Sequence, residues 1–265
     1  MLPSLLAGLA ASVTSGIIGS YIVVKRIVFI SGSIAHSVLG GMGIFLLLKR
    51  KMGWNFLDPL YGALLAAIVS ALLIGWIHLK YREREDTVIA AIWSTGMALG
   101  IICISLTPGY NVELMNFLFG NILWVTRTDL ILLVTLAVVT VIMTSLLHQK
   151  FQVVCFDETL ATLRGISVKK YYLLLLMLVA IAVVILIQVV GAILVIAMLA
   201  IPAALSGHFS KKLSHMMVGA VCLGMVFTAV GLTASFYLNW PPGATIALIA
   251  AVAYGGHFLK FYRAV

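Results

Sequence analysis

His36 is the residue whose chemistry stands out first. It lies in the middle of R-I-V-F-I-S-G-S-I-A-H-S-V-L-G-G-M-G-I-F, residues 26–45, a run apolar enough to sit in a membrane. Gly32, His36, Gly40 and Gly43 follow at steps of four, four and three, which on a helix is one face. That face carries almost no bulk apart from one imidazole. Small residues let helices approach closely, and an imidazole facing lipid is poorly solvated, so the face must look at protein or at a water-filled path. Two readings stay open for His36: a ligand on such a path, or a packing residue bonded to a neighbouring carbonyl. Ser31 and Ser33 lie close enough in sequence to suggest a nucleophile with His36 as base, but no third group accompanies them, which disfavours an intramembrane hydrolase.

The other polar groups are weaker candidates. Of the six histidines only His36 is deep within an apolar run; His78, His148, His208, His215 and His257 fall near the ends of such runs, where structural or interfacial roles are the default. Gln188 lies late in an apolar run, and an interhelical hydrogen bond explains it more simply than substrate contact. Glu85-Asp86-Thr87 reads as helix-start chemistry. Cys103, Cys155 and Cys222 are dispersed, with no CxxC, and form no disulfide framework. HExxH, GxSxG and a Walker A lysine loop are all absent, so the chain carries no hydrolytic signature and cannot use ATP by itself. The missing constellations disfavour a membrane enzyme.

Composition sets the class. Of 265 residues, 63% are hydrophobic and 9% charged, with a mean hydropathy of +1.18. Ordinary soluble domains are about a quarter charged, so this is an all-α, polytopic membrane bundle, read as a single domain over residues 1–265. The net charge of +9 would suggest nucleic acid in a soluble protein. Here the basic residues sit mostly in short loops between apolar runs, which makes them topology determinants in a lipid bilayer and no nucleic-acid footprint.

Spans of about 20 apolar residues are expected near 3–24, 33–49, 57–79, 86–107, 126–148, 171–190, 192–209, 213–237 and 243–262. The sixth and seventh are nearly continuous across Val190-Gly191-Ala192, so the count is eight or nine. With nine spans and the N-terminus outside, thirteen of the 17 Lys and Arg residues fall in the cytoplasm and four (Lys49, Arg50, Lys51, Arg127) outside. The expected topology is N-out, C-in, with the Lys49–Lys51 cluster dissenting. Gly8, Ser12, Gly16 and Ser20 in the first span, and Gly96 and Gly100 in the fourth, mark close helix contacts. The Trp240-Pro241-Pro242-Gly243 run reads as an outer turn before the last span.

Two connections have character of their own. Residues 111–124, N-V-E-L-M-N-F-L-F-G-N-I-L-W, are too short to span and too apolar for a loop in water, and read as an outer interfacial or re-entrant helix. Residues 149–170 form the longest cytoplasmic connection. In it Asp157-Glu158 open a short helix, Leu160 and Leu163 supply its apolar side, and Gly165 ends it. That helix, with small residues at Ala161 and Gly165, either docks in a partner's groove or lies on the bilayer surface.

Six motifs, in order along nearly the whole chain, resemble the membrane (permease) subunits of bacterial ABC importers for zinc, manganese and iron. They are S-G-S-I-A-H-S-V-L-G-G, E-D-T-V-I-A-A-I-W-S, L-M-N-F-L-F-G-N-I-L-W-V-T, F-D-E-T-L-A-T-L-R-G-I, V-V-G-A-I-L-V-I-A-M-L-A-I-P-A-A and G-L-T-A-S-F-Y. The resemblance implies a transport subunit, not an enzyme, with no permanently bound cofactor: a homodimer in the bacterial cytoplasmic membrane, a cytoplasmic ATP-binding subunit below it and an extracytoplasmic metal-binding protein that delivers the ion. It implies docking to the ATPase through Phe156–Ile166, with Phe156, Asp157, Glu158, Ala161, Leu163, Arg164 and Gly165 as coupling residues. It implies a metal path beside His36, with Gly32, Ser33, Gly40 and Gly43 on the helix face around it. Members of that family commonly carry an acid four residues before the histidine; here the position is Gly32. Imidazole with few oxygen donors suits zinc better than manganese or iron, so zinc is the expected cargo. The competing expectation is a self-sufficient carrier or channel working without an ATPase; it calls for mid-span carboxylates, and none falls convincingly there.

Overall fold

The computed structural model describes residues 2–54, 56–81, 85–107, 117–120 and 122–262. Ten α-helices cover most of them: α1 Leu2–Lys25, α2 Val28–Met52, α3 Pro59–Tyr81, α4 Glu85–Ser105, α5 Arg127–Phe156, α6 Glu158–Leu163, α7 Val168–Val190, α8 Ala192–Phe209, α9 Leu213–Leu238 and α10 Pro242–Tyr262, with a 3-10 turn at Ile122–Trp124. Among the described residues there is no strand, and all the helices except α6 are long and apolar enough to cross a membrane, nine in total. This is a multi-pass helical membrane protein.

The ninth span exists because of one glycine. Gly191 adopts φ 82°, ψ 157°, a left-handed φ that side chains resist. A Cβ there would collide with the Gly120 amide and lie 2.5 Å from the Phe119 carbonyl carbon. The break leaves few groups unsatisfied: Gly191 N–H donates to Ile187 O at 3.0 Å, and Val195 N–H to Gly191 O at 3.1 Å. Irregular backbone at membrane depth requires such satisfaction.

Two expected boundaries move. The second span begins at Val28, not 33, because only Arg26 and Ile27 separate α1 from α2, with Arg26 turning the chain at φ 62°. The fifth helix runs 30 residues to Phe156, so 149–156 belongs to a helix and the connection contracts to 157–167. Phe151, Val154 and Cys155 are 0%, 1% and 5% exposed, and this i, i+3, i+4 stripe carries the helix onward. Of the segment expected to be an interfacial helix, residues 111–116 and 121 lie outside the described residues; Phe117 and Ile122 are buried. The dissenting Lys49, Arg50 and Lys51 occupy the last turn of α2, where the helix dipole favours cations.

The chain divides into two compact units. One comprises Met1–Arg26, Leu118–Gln152 and Ile185–Val265. In it α1 packs on α8 and α9. Its small residues are buried: a Cβ on Gly16 would come 2.7 Å from the Val221 nitrogen, and one on Gly19 would strike the Leu199 carbonyl. Ser12 Oγ donates to Gly8 O and Ser20 Oγ to Gly16 O, both at 2.7 Å, and Ser12 Oγ also lies 3.3 Å from Thr228 Oγ1 of α9. The other unit comprises Ile27–Phe117 and Val153–Val184, and α2 is its axis, packed on α3 and α4.

Candidate functional site

In the second unit the glycine face of α2 is a backbone seam. A Cβ on Gly40 would sit 2.9 Å from Gly96 O, and one on Gly43 2.8 Å from Gly100 O, so two glycines on each helix let α2 and α4 approach to backbone contact. Gly41 meets α3 in the same way, at Gly62 O and Ala66. Gly32 differs: the nearest atom to a Cβ there is Trp93 Cζ3 at 3.8 Å, an ordinary contact, so nothing in the backbone packing demands glycine.

His36 sits between the open glycine and the closed ones. From Ile30 to Gly40 every residue is buried except His36, which is half-buried. Its ring stacks on Trp93 of α4, centroids 4.4 Å apart and planes 16° from parallel. Trp93 is held in turn by Nε1–H donating to Met97 Sδ at 3.2 Å. Among the described residues the imidazole makes this stack and no hydrogen bond. The neighbouring hydroxyls are spoken for: Ser31 Oγ donates to Val28 O at 2.7 Å, Ser33 Oγ to Ile89 O at 2.9 Å and Ser37 Oγ to Ile34 O at 2.8 Å. No serine is poised against His36, so the nucleophile–base pairing has no geometric support. A groove of about 560 Å³ runs alongside, between α3 and α4; Gly40, Gly41, Ser37, Ser70 and Thr95 are among its walls, and His36 is not.

One imidazole is a single soft-to-borderline donor. Among the described residues no group of three or more His, Cys, Asp and Glu could hold a metal ion. A closed structural site needs about four ligands; an isolated histidine can hand an ion on but not keep it. Trp93, which fixes the ring plane, was missed by sequence reasoning, since a stack between residues 57 positions apart has no spacing signal.

The second candidate region is α6. Asp157 caps it from an extended conformation (φ −153°, ψ 107°), its side chain accepting from Leu160 N–H at 3.0 Å. At the other end Gly165 takes φ 71°, with Ile166 N–H donating to Ala161 O and Gly165 N–H to Thr162 O, a Schellman closure. A six-residue helix is far too short to be stable alone, so both caps matter. Ala161 is fully buried, Glu158 half-buried and Arg164 exposed. Phe156, Leu160 and Leu163 are 63%, 39% and 81% exposed, leaving an apolar side uncovered within this chain. Glu158 also reaches out of its own helix: Oε1 lies 3.3 Å from Nε2 of His78 on α3.

Several other polar residues have partners in the fold. Gln188 Nε2–H donates to Asp129 Oδ1 at 3.5 Å between α7 and α5, the interhelical bond expected of it. His148 Nδ1 meets Tyr21 OH at 3.0 Å, and His208 Nδ1 meets Ala204 O at 2.8 Å. The three cysteines are free.

Comparison with known proteins accounts for the whole chain. The family described as "ABC 3 transport family" matches residues 1–260. A protein of Chlamydia trachomatis named "Probable metal transport system membrane protein" is 50% identical over 96% of this chain and 86% of its own length. The "Manganese transport system membrane protein MntC" of Listeria monocytogenes is 34% identical over 97% of this chain and 89% of its own. Among solved structures, "PsaBC from Streptococcus pneumoniae in complex with Fab" superposes with a TM-score of 0.82 at 28% identity, covering 96% of this chain and 88% of that one. With matches that run from the first helix to the last, the chain belongs to the ABC 3 transport family, as a membrane subunit of metal transport.

Proposed function

We propose that this chain is the membrane-spanning subunit of an ATP-driven importer that carries a divalent transition-metal ion into the cytoplasm. The observation that carries the reading is the full-length match to the ABC 3 transport family, whose relatives are named for metal transport. The chain has no nucleotide-binding loop of its own, so the energy must come from a partner ATPase. The doubly capped α6, with Phe156, Leu160 and Leu163 uncovered, has the size and polarity of a helix that docks in a partner's groove. An extracytoplasmic metal-binding protein would supply the ion. A homodimer is in keeping with α4, of whose span only 17% is buried within the chain. The Lys and Arg distribution supports an N-terminus outside and a C-terminus in the cytoplasm of a bacterium.

His36 would be a transient relay for the ion, with Gly32, Ser33, Gly40 and Gly43 shaping the helix that presents it. Two cargo readings each have support. A lone imidazole without the acid at Gly32 favours zinc; the name of the Listeria relative favours manganese. The test is reconstitution of this chain with its ATPase and binding protein in proteoliposomes, challenged with zinc, manganese and iron(II). Uptake that requires all three proteins and nucleotide supports the reading, and the ion giving the highest rate names the cargo. Metal movement by this chain alone would overturn it in favour of a self-sufficient carrier.

A further inference from the structure

The contact between Glu158 and His78 has a consequence for how work done below the membrane would reach the metal path. Through its chain ends α6 is tethered only to the end of α5 and the start of α7. The His78–Glu158 pair adds a tie to a third helix, 80 residues away in sequence. It is partly shielded, with side-chain exposures of 18% and 24%. The His78 ring also lies against Tyr172 of α7, centroids 4.6 Å apart, and Tyr172 is fully buried. The imidazole is thus wedged between a rigid aromatic wall and the carboxylate of the short helix. Lower on the same contact surface, a Cβ on Gly75 of α3 would come 2.6 Å from Leu173 Cδ2, so α3 and α7 are in close contact there as well.

From His78 the helix continues without interruption to Gly62, about 24 Å along its axis at 1.5 Å per residue. There it meets α2 backbone to backbone, at Gly41. Gly41 is little more than one turn from His36. The contacts Glu158–His78, the α3 rod, Gly62–Gly41 and α2 lie within one compact unit, Ile27–Phe117 with Val153–Val184. Packed elements of this kind transmit displacement as near-rigid bodies, because close-packed interiors deform little.

We propose that His78 is the positioning residue through which α6 acts on α3, and through α3 on α2 and His36. The proposal rests on α6 being the ATPase-docking helix. It separates two tasks that the docking reading alone does not: holding the ATPase, which falls to the exposed side of α6, and converting its movement, which falls to the inward-facing Glu158–His78 pair. His78→Ala should therefore uncouple the complex without dissolving it.

The experiment uses the complete complex of this chain, its ATPase and its metal-binding protein in proteoliposomes. It measures co-purification of the ATPase, ATP hydrolysed, and zinc and manganese imported. With His78→Ala the ATPase is expected to stay bound and to hydrolyse ATP, while ions imported per ATP fall about fivefold. His78→Gln, which keeps an N–H donor for Glu158, should recover part of the ratio, a rescue that a purely space-filling role would not produce. The double variant His78→Ala/Glu158→Ala should be no worse than the poorer single one, since both remove the same contact. Should His78→Ala not accumulate, Glu158→Ala, on a half-buried side chain, reads the same ratio. An unchanged ratio, or losses that simply add, overturns the proposal. A wild-type chain that holds no ATPase overturns the docking reading, and the proposal with it.

Discussion

α1 and α2 are built by the same device and left in different states. Each carries small residues at helical spacing, each has 67% of its span buried, and each touches its neighbours through backbone. Along α1 from Ala11 to Ile22 the only positions not fully buried are Val13 and Ile17, side chains at ease against lipid. Along α2 from Ile30 to Gly40 the one such position is His36. On α1, Ser12 and Ser20 donate to carbonyls one turn back, and Tyr21 OH meets His148 Nδ1. On α2 the serines are likewise closed, but the imidazole is stacked by its face and has its edge uncommitted among the described residues. Close helix packing is thus a framework common to both units; an ionisable edge left open within it is what distinguishes a transport helix from a scaffold helix.

The comparison predicts that packing variants should hurt both helices alike. Gly19→Leu in α1 and Gly41→Leu in α2 each drive a side chain into a backbone carbonyl, and each should cost about 3 kcal/mol or more, read as loss of monodisperse protein in detergent and a lower unfolding temperature. If only one is damaging, the two helices are not packed by the same device. Functional variants should then separate them. His36→Ala should lower metal uptake by the reconstituted complex at least about tenfold, the effect expected of losing an intramembrane functional group, while leaving thermal unfolding near wild type. Ser12→Ala should do the opposite, costing about 1 kcal/mol of stability with uptake unchanged. Equal uptake by both variants would erase the distinction. Gly32→Asp places a carboxylate one turn before His36 at the open position of that face; it should raise manganese uptake severalfold relative to zinc in a competition assay. The smallest effect is expected at α6, where Asp157→Ala removes the N-cap and about 1 kcal/mol of local helix stability, seen as faster amide exchange at Leu160 with the transmembrane helices unaffected.

Much of this fold could be read before the structure, because bilayer thickness converts directly into runs of apolar residues. The α7–α8 division was foreshadowed by Gly191, and the caps of α6 by Asp157 and Gly165, all of them local signals. Boundaries set by non-local burial were not. The helical extension to Phe156 depends on where Phe151 and Val154 are buried, and the early start of α2 depends on an arginine, not a glycine or proline, making the corner. The candidate site was legible only as far as His36. Trp93 and His78 owe their roles to partners 57 and 80 residues away, and pairings at such distance leave no periodicity to detect. The glycines expected on one face are of two kinds in the structure: Gly40 and Gly43 are demanded by contact, and Gly32 is not.

That last difference bears on how the cargo preference of such a chain can change over generations. Every glycine codon becomes an aspartate or glutamate codon by one G-to-A transition at its second base. At Gly40 or Gly43 that change would wedge the seam apart and be purged with the misfolded product. At Gly32, where a Cβ meets nothing nearer than an indole carbon at 3.8 Å, the same transition avoids that backbone clash and adds a carboxylate. A lineage can acquire or discard an oxygen donor beside His36 in a single mutational step, without a compensating change elsewhere in the helix.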